Sequence, residues 1–429
     1  MTDLIQVTLK NGLRVLLKEI HTAPLISHWL WYRVGSKDEP TGKTGISHWV
    51  EHMQFKGTPQ FPASVLDKAI AREGGQWNAF TFMDWTTYYE TMPADKIDLA
   101  LRLEADRMVN SLFDVEEVES ERTVIVAERE GNENEPLSLL GEAVQHAAFR
   151  VHPYHHEVIG DAADLRSITR DDLYNHYRTY YIPNNAVLAV AGDFDARKML
   201  ARITELFEPI QAGPIPPRLQ RPEPAQQGEI RLTVEGPEET AYLQVSYHTP
   251  QASHPDFHPL AVLDSLLAGP SSLNMFGGGG ISNKTSRLYR ALIDTGLAVG
   301  IHGGSTATID PFLYSFTITA HPQQTPAVAL AALDAEIKRL QDEPPTAAEV
   351  ARAIKQARAM FAFGAENITN QAFWLAYAEM FASYDWFVSY LDKLAVVTPD
   401  EVQRVAREYF RPRNRVVGIY LPTAEAGDR

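Results

Sequence analysis

The feature that most constrains this chain is that it repeats itself. Thr169-Arg170-Asp171-Asp172-Leu173 leads to Tyr180-Tyr181-Ile182-Pro183-Asn184-Asn185 and then to the apolar run Ala186 to Val190. Thr398-Pro399-Asp400-Glu401-Val402 leads to Tyr409-Phe410-Arg411-Pro412-Arg413-Asn414 and then to Arg415 through Leu421. Thr398, Pro412 and Asn414 each stand 229 positions after Thr169, Pro183 and Asn185. Each copy predicts a helix capped by its threonine, a proline stop and a buried strand. A unit used twice implies two related halves, and 429 residues suffice for each to bury its own core. The boundary falls between 212 and 228, where Pro214, Pro216, Pro217, Pro222 and Pro224 suit a semi-rigid extended linker. The expected domains are therefore 1–211 and 229–429.

Each half opens with strands. Ile5 to Leu9 and Leu13 to Leu17 flank the turn signal Asn11-Gly12, and Ile230 to Val234 precedes Ala241 to Tyr247. Strands mixed with long helical stretches predict an α+β sandwich, with helices packed on a largely antiparallel sheet. The aromatic and Met-rich run from Met360 to Leu391, including Phe373, Trp374, Tyr377 and Phe381, reads as helix core.

One half carries chemistry that the other lacks. In His48-Trp49-Val50-Glu51-His52 the histidines stand four apart, one turn along a helix and on one face, so they can close on one metal ion. Glu51 sits at the rim of that face, within reach of a metal-bound water without being a ligand. A catalytic zinc takes three protein ligands, so one more N or O donor is needed. The chain has no cysteine, which excludes thiolate zinc sites and disulfides. Further on, Glu121 and Glu128 lie seven residues apart, two helical turns, and share a face while Val124 and Ile125 serve the core. In the second half, Leu260 to Leu267 offers Asp264 but no histidine pair, so one zinc per chain is expected.

With these residues together, the chain resembles the M16 metallopeptidases, the pitrilysin, insulysin and mitochondrial processing peptidase group. The H-x-x-E-H order is the inverzincin signature, and Glu128 follows His52 by 76 residues, the family spacing. Gly35-Ser36 and Gly45 before the pentad, and Phe55-Lys56-Gly57-Thr58 after it, agree. The resemblance implies that His48, His52 and Glu128 bind zinc, that Glu51 is the general base, and that Glu121 orients a histidine ligand. It further implies two homologous domains of the LuxS/MPP-like metallohydrolase type in a clam-shell arrangement. Gly74 to Thr81, continuing through Asp84 and Thr86 to Tyr88 and Pro93, reads as a loop and then a strand; by the same resemblance its Asn78, Ala79 and Phe80 bind an extended peptide substrate. Gly277 to Gly280 lacks the pattern of a P-loop and matches a family substrate-contacting loop. The histidines at 152, 155 and 156 match a family turn, and metal binding is not expected there.

One departure matters. M16 peptidases carry an Arg and a Tyr in the second half, in text like L-R-x-x-x-G-L-A-Y, that bind the substrate carbonyl. Gly296-Leu297-Ala298 sets the register, which puts Ile293 or its neighbour at the Arg position and Val299 at the Tyr position. Neither Ile nor Val can donate a side-chain hydrogen bond, and Arg290 is the nearest substitute. The expected function is therefore a zinc metalloendopeptidase subunit acting on peptides or unfolded segments in an enclosed chamber. Its expected partner is a homologous subunit without H-x-x-E-H that supplies Arg and Tyr, forming a heterodimer. The rivals are a non-catalytic M16-like structural subunit and a module that binds peptides without cutting them. A net charge of −16 disfavours nucleic acid as a partner. No apolar run approaches membrane-spanning length and the N-terminus has no signal-peptide pattern, so a cytoplasmic location without membrane contact is expected.

Overall fold

The helix–turn–strand unit read twice in the sequence is built twice in space. A computed structural model of the chain describes residues 4–237, 239–274 and 281–423. Its strands are β1 (Ile5–Thr8), β2 (Arg14–Glu19), β3 (Leu25–Tyr32), β4 (Gln76–Thr81), β5 (Thr86–Pro93), β6 (Ala186–Gly192), β7 (Ile230–Gly236), β8 (Tyr242–Thr249), β9 (Ala298–Ser305), β10 (Phe312–Ala320) and β11 (Arg415–Pro422). The first-half helices are α1 (Ile46–Met53), α2 (Ala63–Arg72), α3 (Ile97–Asn110), α4 (Val115–Asn132), α5 (Pro136–Ala148), α6 (Ala162–Ser167), α7 (Arg170–Tyr180) and α8 (Ala196–Phe207). Those of the second half are α9 (Phe257–Leu267), α10 (Pro326–Asp342), α11 (Ala347–Phe363), α12 (Ile368–Phe381), α13 (Tyr384–Ala395) and α14 (Pro399–Tyr409).

The repeat extends to its hydrogen bonds. Thr169 caps α7, its hydroxyl accepting from the Asp172 N–H at 3.2 Å, and Thr398 caps α14 from the Glu401 N–H at 3.3 Å. Each capping carboxylate returns the bond to its threonine N–H, at 2.8 Å in both copies. The asparagines recur in role as well as position. Asn185 Nδ2 donates to the Tyr180 carbonyl at 2.9 Å, and Asn414 Nδ2 to the Tyr409 carbonyl at 2.8 Å, closing the turn into β6 and β11.

Among the described residues the strands form two sheets, ordered β1-β2-β6-β3-β5-β4 and β7-β11-β8-β10-β9. Each is antiparallel apart from one parallel pair, β2 with β6 and β7 with β11. Matching the sheets through those pairs places β4 and β9 at equivalent edges. Alternate residues of β3 divide between two faces of the first sheet. Ile26, Leu30 and Tyr32 join a core with Trp49 and Val50 of α1, Leu101 of α3, Tyr177 of α7 and Ile203 of α8. Trp29 and Trp31 turn the other way, each with its ring centroid 5.4 Å from Phe373 of α12. Nearly every residue of α12 from Ala372 to Phe381 is buried, as a helix that is apolar all round requires.

The packed units do not follow chain order. One comprises residues 1–129, 156–221 and 365–384, and the other 130–155, 222–364 and 385–429. The expected linear domains 1–211 and 229–429 are corrected in this respect: α12 of the second half packs on the first sheet, and α5 of the first half packs on β11, β7 and β8. The physical reason is coverage. The other helices of each half leave an apolar sheet face that an exchanged helix buries. In the second unit α5 comes so close that a Cβ at Gly418 of β11 would lie 2.4 Å from Val144 and 2.9 Å from Leu140. Residues 212–228 contain no helix or strand. The glycine run Gly277 to Gly280 lies outside the described residues. No helix among the described residues is long and apolar enough to cross a membrane.

Candidate metal centre

The helix that carries the pentad is only eight residues long, too short to be stable by itself, and is held at its start and along one side. At its start, Gly45 adopts φ +86°, and a Cβ there would meet the Ile159 carbonyl oxygen at 2.4 Å. The buried Glu39 carboxylate accepts from the Gly45 and Ser47 N–H groups, both at 2.8 Å, placing negative charge on the positive end of the helix. Trp49, Val50 and Met53 are fully buried. That anchored stripe leaves His48, Glu51 and His52 on the opposite side.

Helix α4 brings the carboxylates. Val118, Glu121 and Ile125 form its buried stripe, and Arg122 lies 4.7 Å from the Trp49 ring. Val124, expected in the core, is 48% exposed. It lies one residue off the 118–121–125 stripe, about 100° around the helix. Glu121 Oε1 sits 2.7 Å from His52 Nδ1. Its other oxygen meets the Lys56 ammonium, which also lies 3.8 Å from Glu117. Sequence reasoning assigns Lys56 no role, and because it lies beyond the end of α1 no helical spacing points to it.

His48, His52 and Glu128 each offer one ligand atom, all within 4.8 Å of one another. His48 Nε2 and His52 Nε2 are 3.2 Å apart, and His52 Nε2 lies 3.8 Å from a Glu128 oxygen. Two nitrogens bound tetrahedrally to zinc at about 2.05 Å would be separated by about 3.3 Å, so the pair already has the spacing such an ion imposes. Two nitrogens and one carboxylate oxygen are the donor set of a catalytic zinc, and the residues fit the metal.

The electrostatics agree with a site for a cation. Burial, followed by the neighbouring His52, pushes His48 down to about 3 and favours its neutral, ligating form. Burial opposes charge on His52 too, but its hydrogen bond with Glu121 and the carboxylates of Glu51, Glu121 and Glu128 outweigh burial and raise its pKa. Burial is likewise the largest influence on Glu121, yet its bonds to His52 and Lys56 bring it below the usual carboxylate range. Glu51 is 7% exposed, and burial raises it to about 7 against the hydrogen bond from Thr81, whose hydroxyl donates to Oε2 at 2.6 Å. Sequence reasoning carries one segment through Thr81 to Pro93 and gives Thr81 no role, whereas β4 ends at Thr81 and β5 begins at Thr86.

The three residues expected to bind substrate lie on β4, at the sheet edge. Asn78 is exposed, Ala79 is buried, and Phe80 stacks 6.2 Å from Tyr89. Beyond β5, no strand among the described residues pairs with β4. The histidines at 152 and 156 have other partners: His152 lies 3.4 Å from Asp310, and His156 Nε2 contacts Ser36 O and Glu39. Asp264 is buried, accepting from Tyr314 and Ser271. Arg290 is exposed on a π-helical turn (Tyr289–Ile293), and Val299 is 56% exposed on the edge strand β9.

Comparison with known proteins places these features in a family. Residues 14–162 match the model for insulinase, peptidase family M16, and residues 167–357 match the model for the peptidase M16 inactive domain. An uncharacterised zinc protease of Streptomyces coelicolor is 27% identical over 96% of this chain and 89% of its own length. The zinc protease PqqE of Helicobacter pylori is 28% identical over 94% and 90%. Among solved structures, a protease from Helicobacter pylori matches with a TM-score of 0.90 at 27% identity, covering 98% of this chain and 100% of that one. With the family M16 model and the M16 inactive-domain model lying in succession along it, the chain belongs to peptidase family M16.

Proposed function

We propose that this chain is the zinc-bearing subunit of a metalloendopeptidase that hydrolyses peptides or unfolded segments. The observation that carries the reading is the convergence of His48, His52 and Glu128 beside the buried Glu51 carboxylate. Its relatives named zinc proteases support it. Zinc held there would supply Lewis acidity, polarising the scissile carbonyl and lowering the pKa of a coordinated water towards about 7. Glu51 takes the proton of the attacking water and passes it to the leaving amine. Glu121 fixes the His52 ring through Nδ1, so that Nε2 faces the ligand cluster. The free edge of β4 receives the peptide as an added strand, with affinity from backbone hydrogen bonds that ignore sequence.

In this reading the chain lacks its own carbonyl-binding pair, since Ile293 or its neighbour, and Val299, stand where the family has Arg and Tyr. Loss of one such donor costs roughly 10²–10³ in turnover. The partner in this reading is a homologous subunit without the zinc motif, which supplies both donors and closes a chamber around the substrate. Arg290, exposed and with no ion-pair partner among the described residues, is the local alternative.

The test is metal analysis together with cleavage of a quenched peptide. The wild-type chain should hold about one zinc per chain, cleave weakly alone and recover with the copurifying homologue. Glu51→Gln should keep the zinc and lose most turnover. Near-wild-type cleavage by that variant would remove Glu51 from the chemistry, and full specific activity from a pure homodimer would remove the partner.

A further inference from the structure

The hydroxyl of Thr81 joins two parts of the site that spacing along the chain does not connect, the base on α1 and the free edge strand. Thr81 is the last residue of β4, and alternation along that strand puts Trp77, Ala79 and Thr81 on one face. Trp77 packs against Phe55, its ring centroid 4.7 Å away, and Ala79 is 5% exposed, so this face lies against α1 and the turn that follows it. From that face the Thr81 hydroxyl donates to Glu51 Oε2 at 2.6 Å. A carboxylate that is 7% exposed has little water to orient it, so the protein donor decides which oxygen is engaged and which is left basic. With Oε2 already accepting from Thr81, Oε1 is the more basic oxygen.

We propose that Thr81 is a positioning residue for the general base: it holds Glu51 with Oε1 towards the ligand cluster and ties that orientation to the substrate-binding strand. A peptide added along the free edge of β4 steadies the same strand whose end holds the base, so peptide register and base geometry are set together. The inference rests on the metallopeptidase reading above.

Two substitutions separate positioning from packing. Thr81→Val keeps the shape and removes the donor, whereas Thr81→Ser keeps the donor and removes the methyl group. The assay is zinc content plus steady-state cleavage of a quenched peptide by the full chain with its copurifying subunit. Thr81→Val should lower kcat about 10- to 100-fold, the size of a lost hydrogen bond to a charged group, while Thr81→Ser stays within about threefold of wild type. KM and zinc content should be unchanged in both. The reverse order, with valine tolerated and serine damaging, overturns the proposal, as does a loss of zinc or a rise in KM that accounts for the defect. Glu51→Gln in the same assay keeps the two readings apart. If it loses turnover while Thr81→Val does not, this inference fails alone; if it cleaves normally, the metallopeptidase reading fails first.

Discussion

Replacing Glu121 by Gln tests how the site holds its metal, and the size of the effect can be worked from the contacts. One oxygen of Glu121 lies 2.7 Å from His52 Nδ1 and the other meets the Lys56 ammonium. An amide has only one acceptor. With its oxygen turned to His52, its NH2 group faces the Lys56 ammonium, donor against donor; flipped, it faces the His52 N–H instead. Either way one charge-assisted hydrogen bond is lost, about 1.5–3 kcal/mol in a buried setting. Lys56 is partly exposed and can turn towards Glu117, which trims the upper end of that range. Zinc affinity should fall about 10- to 100-fold, or ~1.4–2.7 kcal/mol, without being abolished. Lys56→Met should cost only a few-fold, because Glu121 still faces His52. The double variant should resemble Glu121→Gln, since both changes act through one contact. Competition between the full-length chain and a fluorescent chelator, at fixed pH and salt, measures all three. Unchanged zinc affinity in Glu121→Gln would refute the orienting role, and strict additivity in the double variant would take Lys56 out of the relay.

Two further predictions concern the second unit. Gly418→Ala should destabilise it by about 1–3 kcal/mol, because the new Cβ meets Val144 and Leu140 of α5 inside ordinary contact distance; an unaltered urea midpoint would show that α5 shifts freely. Asp264, buried against Tyr314 and Ser271, is pushed by burial up to about 6 from 3.8. A folded pKa above the unfolded one means stabilisation that is full below pH 3.8 and lost as pH rises through about 6. The unfolding free energy of wild type minus that of Asp264→Asn should therefore fall by up to ~3 kcal/mol between pH 4 and 7. A pH-independent difference in urea denaturation would contradict this.

What the sequence determines by itself is whatever a few neighbouring residues decide. The threonine caps, the proline stops and the turn asparagines act within five or six residues, so both copies of the helix–turn–strand unit are legible in the chain's own order of residues. The four-residue spacing of His48 and His52 puts them on one helical face for the same reason, and the pattern of Glu51, Glu121 and Glu128 is readable beside them. Tertiary structure decides what depends on which surfaces are covered. It sets the exchange of α5 and α12, because no local pattern says which sheet an apolar helix will bury. It turns Val124 outward and Ile125 inward, though both are good core residues, because only one stripe of α4 faces the core. It brings Glu128 to His52 across 76 residues, puts the Lys56 ammonium on Glu121, and puts the Thr81 hydroxyl on Glu51. Spacing along a chain defines a face. Only packing supplies the opposing residues, and these contacts rest on them.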